Sequence, residues 1–176
     1  MKTLALSLLL ALSLPVMAAV GDTISKDVLP KTWVAGEAPQ TWPTDELYIF
    51  ECWATWCRPC LEAFPHMESL WQQVKGDGVH FVGVNVADRK TVEEIQAFMV
   101  RQPVPPTYAI AIDSRVSDFA RAVGVRGIPM AYAVKGGKVI WQGNPHSLKP
   151  AKIRELAKTE TADVPPAQPC NCGKQH

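Results

Sequence analysis

The chain has no cluster of Lys or Arg, no glycine-rich loop of the kind that cradles phosphate, no alternation of aromatic and basic residues, and no internal repeat. These absences remove the footprints of nucleic-acid, nucleotide and solenoid proteins, so no nucleic-acid partner is expected. Charge of either sign is not in excess, with 18 Lys and Arg against 17 Asp and Glu. No apolar run reaches the roughly 20 residues of a relaxed membrane span. Cysteine is sparse as well, five in 176 residues. A small domain held together by disulfides carries a denser set, and a chain of this length can bury a core of its own.

What the N-terminus does have is a short export pattern. Met1-Lys2-Thr3 precedes a run from Leu4 to Leu14, apolar except for Ser7 and Ser13, and Pro15-Val16-Met17-Ala18-Ala19 follows. One basic residue, a short apolar stretch and small side chains at Val16 and Ala18 make a secretory signal peptide, with cleavage expected after Ala18 and an uncleaved anchor as the alternative. No cysteine stands just past the cut to be lipidated. Removing 1–18 takes away Lys2 and leaves 17 basic against 17 acidic residues, a net charge of zero over the remaining 158. Export to the periplasm places the protein where disulfides persist.

The most informative residues are Cys57 and Cys60, in Trp53-Ala-Thr-Trp-Cys-Arg-Pro-Cys60, where a strand pattern gives way to a helix pattern. A helix start offers unpaired N–H groups and the positive end of its dipole, so Cys57 is expected to hold negative charge more readily than a free thiol. Two intervening residues let Cys60 fold back within bonding distance, and the pair can then open and close as a disulfide. Cys57, at the helix start and the more exposed of the two, is the expected attacking sulfur, with Cys60 one turn inside as the resolving sulfur. Other uses of a Cys-x-x-Cys make other demands. Haem attachment needs His after the second cysteine, and position 61 is Leu. A zinc site needs two more ligands, and the other close pair, Cys170 and Cys172, lies more than a hundred residues on. Half a zinc site and an inert staple remain the alternatives to redox exchange.

Around this pair the chain alternates strands and helices. Segment 19–45, with Pro30, Pro39 and Pro43, reads as an extended arm or short strands lying against the domain. Leu47 to Trp53 is a nearly continuous apolar run, as in a strand buried on both faces. Met67, Leu70, Trp71 and Val74 form one helix face, ended by Gly76 and Gly78. A strand is expected at Val79 to Val86, a helix at Thr91 to Val100 and a strand at Tyr108 to Ile112. Val116, Phe119, Ala120 and Val123 make a further helical stripe. A hairpin follows, Met130 to Val134 turning at Gly136-Gly137 into Val139 to Trp141, and a last helix runs from Ser147 through Ile153 and Leu156. The pattern predicts an α/β sandwich with a central sheet over 46–158, and a tail at 159–176.

Trp-Ala-Thr-Trp-Cys-Arg-Pro-Cys at 53–60, Phe64-Pro65 in the helix that follows, and Gly124-Val-Arg-Gly-Ile-Pro129 before the hairpin together resemble thioredoxin-fold proteins, more narrowly the exported TlpA/ResA-type thiol-disulfide reductases. The resemblance covers roughly 45–158. It implies a thioredoxin-like three-layer α/β/α sandwich with a central mixed sheet. It also implies a cis Ile128–Pro129 peptide beside the cysteines, whose loop pairs with an extended stretch of a disulfide-containing client protein. Glu51 stands six residues before Cys57, where thioredoxins carry a buried acid, and is the expected proton acceptor for Cys60. The family further implies no cofactor beyond the redox-active disulfide, a reducing direction, and recharging by a membrane thiol donor. ResA-type proteins place a glutamate directly before Phe-Pro; here that position is Ala63, with Glu62 next to it, which shifts proton handling toward Glu51. Trp56 is expected to shield the sulfurs and line the docking surface, with Trp53 packed beneath. Arg58 and Pro59 are expected to tune the potential. Cys52 reads as a small buried hydrophobe, and His66 and His80 as surface or satisfied residues.

The tail from Asp163 lacks apolar periodicity. Cys170, Cys172 and His176 there offer soft ligands for Cu(I) or zinc, and the two thiols could instead be inert or paired with each other, or exchange with the main pair. A copper-handling protein acting through this tail is the alternative function.

Overall fold

The structure is a computed structural model that describes residues 20–113 and 118–166. The expected signal peptide at 1–18, Val116 of the third helical stripe, and Cys170, Cys172 and His176 lie outside the described residues.

Strand β2, Leu47–Trp53, is buried at all seven positions, as its unbroken apolar run requires of a strand covered on both faces. It pairs in parallel with β3, Val79–Asn85, and antiparallel with β5, Met130–Lys135. The sheet is completed by β1, Thr32–Ala35, β4, Ala109–Ile112, and β6, Lys138–Gly143, in the order β1-β4-β3-β2-β5-β6. The segment 19–45 therefore supplies an edge strand, and Thr23 bridges to Lys138 at the opposite edge.

Alternation along β2 divides the core in two. Leu47, Ile49 and Trp53 pack on one face with α1, Arg58–Val74, α2, Val92–Val100, and α4, Pro150–Lys158. Tyr48, Phe50 and Cys52 pack on the other with Phe119 of α3, Asp118–Ala122. Helices on both faces of a mixed sheet make the expected three-layer α/β/α sandwich.

Local chemistry sets the element ends. Thr91 caps α2 in a capping box with Glu94, each side chain bonding the other's backbone N–H. Gly136 and Gly137 both have positive φ, +56° and +74°, as the tight β5–β6 turn demands. The last helix does not begin at Ser147. Residues Pro145–Ser147 form a separate 3-10 turn and α4 begins at Pro150, because a residue before proline is driven out of the helical region and Lys149 is extended at φ −133°, ψ 152°. Among the described residues no helix is long and apolar enough to cross a membrane.

Candidate active site

The site is built where β2 hands over to α1. Cys57 is the N-cap of α1, and Pro59 occupies the first turn, where a missing N–H costs the helix nothing. The carbonyl of Cys57 accepts from the N–H of Cys60 at 3.0 Å and of Leu61 at 3.2 Å. This first turn brings the two Cα atoms to 5.3 Å, and the Sγ atoms are joined in a disulfide. Cys60 is fully buried. Cys57, expected at an exposed turn, is only 4% accessible: its N–H bonds back to Ala54 O at 3.1 Å and its sulfur joins the core group that includes Cys60, Trp53 and Phe64.

The loop ahead of Cys57 is tied down by a carboxylate. Asp88, just beyond β3, accepts from Thr55 N at 2.7 Å, Thr55 Oγ1 at 2.9 Å and Asn85 Nδ2 at 2.6 Å, while its own N–H donates to Asn85 Oδ1 at 3.2 Å. Trp56, 66% exposed, donates its indole N–H to Ala87 O at 3.4 Å, a second tie between the two loops. Arg58 is paired with Glu62 at 3.0 Å on the open surface, a contact worth at most about 1 kcal/mol. Ala63, at the place of the family's glutamate, is buried against the core.

The Ile128–Pro129 peptide is cis. Its place follows from register: Met130, the first residue of β5, pairs with Cys52 near the end of β2, so the Ile128–Pro129 loop borders the end of the strand from which the cysteine loop departs. Beside the pair, Leu61, Phe64 and Pro65 of α1 face Pro103 and Val104 across a shallow groove of about 370 Å³, with Arg58 at its rim.

Glu51 is 1% exposed and, by alternation on β2, lies on the α1 face of the sheet. Burial raises its pKa from 4.5 to about 8, against the pull of a hydrogen bond from Tyr108 Oη to Oε2 at 2.9 Å. Among the described residues its Oε1 has no hydrogen-bond partner, nor does the buried Nε1 of Trp53 two residues along the same face. Cys52 is buried on the opposite face, and desolvation holds its thiol well above the usual range. His80 bonds Glu46 at 2.8 Å and His66 bonds Leu148 O at 3.1 Å, so both are satisfied. Among the described residues no group of three or more His, Cys, Asp or Glu is placed to hold a metal.

Sequence reasoning missed Asp88, Thr55, Asn85 and Tyr108. Asn85-x-x-Asp88 at the end of a strand carries a visible turn signal. Tyr108 carries none, since its contact with Glu51 spans 57 positions.

This sheet order with helices on both faces, and a bonded Cys-x-x-Cys at the N-terminus of the helix after the central strand, define a thioredoxin-fold protein. The family model described as Redoxin matches residues 40–159, and the chain belongs to that family. It is 33% identical over 89 residues to the thiol-disulfide oxidoreductase ResA of Bacillus subtilis, covering 50% of this chain and 47% of that one. It is 32% identical over 96 residues to the thiol:disulfide interchange protein HelX of Rhodobacter capsulatus, covering 54% and 50%. The matches thus span about half the length of these curated relatives. Two solved structures share the fold. StoA from Bacillus subtilis has a TM-score of 0.59 and 20% identity over 80% of this chain and 100% of that one. The thioredoxin domain of a thiol-disulfide oxidoreductase from Bacteroides vulgatus has a TM-score of 0.60 and 15% identity over 80% and 96%.

Proposed function

We propose that the protein is a periplasmic thiol-disulfide oxidoreductase that reduces disulfides in client proteins and is itself recharged by a membrane thiol donor. The observation that carries this reading is the disulfide between the N-cap and first turn of α1, the one place on a helix where backbone dipoles favour a thiolate.

In the reduced protein the Cys57 thiolate attacks one sulfur of a client disulfide. A Cys57–client bond forms, the client's S–S bond breaks, and its other sulfur leaves as a thiolate. Cys60 then gives its proton to Glu51 and attacks Cys57 Sγ. The Cys57–Cys60 bond closes and the client leaves with its second thiolate, so two electrons have passed to the client and the protein carries the disulfide. Trp56, Arg58, Pro59 and the Ile128–Pro129 loop border the cysteine turn and form the surface on which the client lies. ResA and HelX, by their names, work in thiol-disulfide exchange, which supports the same chemistry here.

Trapping tests the division of roles. Cys60→Ser, reduced and mixed with oxidised insulin, is expected to accumulate a Cys57-linked mixed disulfide that dithiothreitol releases. Cys57→Ser is expected to form none. Equal trapping through either cysteine, or none at all, contradicts the proposal.

A further inference from the structure

The strand that reaches Glu51 is an insertion in the sheet. β4 lies between β1 and β3, so Tyr108, just ahead of it, must cross β3 to meet a carboxyl on β2. It crosses where β3 has no side chain. Gly83 pairs with Glu51 on one side and Ile110 on the other, and a Cβ there would stand 3.3 Å from Tyr108 Cε2 and 2.7 Å from Ile110 Cδ1. The same Cβ would stand 3.3 Å from Trp53 Nε1, so a larger residue at 83 would crowd Ile110 and press on the Tyr108 and Trp53 rings.

We infer that Tyr108, with Gly83 clearing its route, is a positioning residue for proton handling: its phenol holds Oε2 of Glu51 and leaves Oε1 as the atom that takes and returns the proton. The inference rests on the proposed role of Glu51. The geometry beneath it is a buried carboxyl with one oxygen bonded at 2.9 Å and the other without a partner among the described residues. A phenol that donates to a carboxylate steadies the charged form, so the proton sits on the other oxygen and leaves more readily than burial alone would allow. Among the described residues, Tyr108 and Cys52 interact with Glu51 directly, and Glu68 of α1 acts by its charge on Tyr108. Gly83 of β3 and Ala131 of β5 pair with Glu51, and the Cys57–Cys60 disulfide lies in the core on the same side of the sheet. Glu68 is itself held by Thr107 N and Oγ1 at 2.8 and 2.7 Å, which fixes the residue before Tyr108 against α1.

The test uses the full oxidised chain, with the Glu51 carboxyl followed by infrared or carbon NMR titration and insulin as the disulfide probe after reduction. Tyr108→Phe keeps the ring and removes the donor. The Glu51 midpoint is expected to rise by about 0.5–1 pH unit, the worth of one buried hydrogen bond. The pH limb of single-turnover insulin reduction is expected to move with it. Gly83→Ala, whose Cβ presses on the edge of the Tyr108 ring without removing the hydroxyl, is expected to shift the midpoint the same way and by less. An unmoved or lowered midpoint in Tyr108→Phe overturns the inference. Glu51→Gln separates this from the parent reading: if it keeps the wild-type pH limb, Glu51 is not the proton acceptor, whatever Tyr108 does to its titration.

Discussion

At the scale of single residues, the buried Glu51 carboxyl makes stability depend on pH. Its folded pKa of about 8 lies above the ordinary 4.5, so the folded state holds a proton that the unfolded chain gives up. Below about pH 4.5 both states are protonated and nothing is lost. Between 4.5 and 8 the unfolded state ionises first, stability falls as pH rises, and above 8 the loss is complete. Glu51→Gln keeps an acceptor for Tyr108 and removes the titration. The variant is expected to match the wild type near pH 4 and to exceed it by about 3–5 kcal/mol at pH 9 in urea unfolding. A constant gap across that range contradicts a buried acid titrating near 8. Cys57, Cys60 and Glu51 were legible in the sequence because spacing and a lone acid in an apolar run are local signals. The small accessibility of Cys57 was not, because it depends on a turn that folds the sulfur into the core.

At the scale of elements, the β2–α1 junction owes its shape to a loop far from it in sequence. Asp88 receives three hydrogen bonds from Thr55 and Asn85, which locks the approach to Cys57 onto the end of β3. Asp88→Ala is expected to cost about 1–3 kcal/mol in denaturant unfolding, Thr55→Val about half as much, and Thr55→Ser little. Hydrogen exchange at residues 54–57 is expected to quicken in Asp88→Ala; protection equal to wild type there would show that the clamp is not what holds the loop. β2, α1 and α2 could be read in advance because an unbroken apolar run, a helical stripe and a Thr91-x-x-Glu94 cap each fix an element by itself. The start of α4 misled because Ser147 is a residue type that opens helices, and the constraint that Pro150 places on Lys149 moves the start to Pro150. The Asp88 clamp stayed hidden, since hydrogen bonds across 33 positions leave no periodic trace.

At the scale of the molecule, alternating strands and helices predict the sandwich, whereas strand order is a long-range property. The sequence pattern does not say that β4 enters between β1 and β3, yet that insertion delivers Tyr108 to Glu51 and makes β1 an edge strand. The disulfide follows the end of β2, at the end of the sheet where β3 also ends and β5 begins. A sheet covered on both faces carries the Cys57–Cys60 disulfide, and in the proposed reaction what the protein does with electrons depends on how strongly it favours the open dithiol. Equilibrating the full chain with dithiothreitol or glutathione redox buffers and counting free thiols at Cys57 and Cys60 tests this directly. A single reversible two-electron transition near thioredoxin's value of about −270 mV is the predicted result; a pair that never equilibrates, or one poised near the about −120 mV of a strong oxidant, would contradict it.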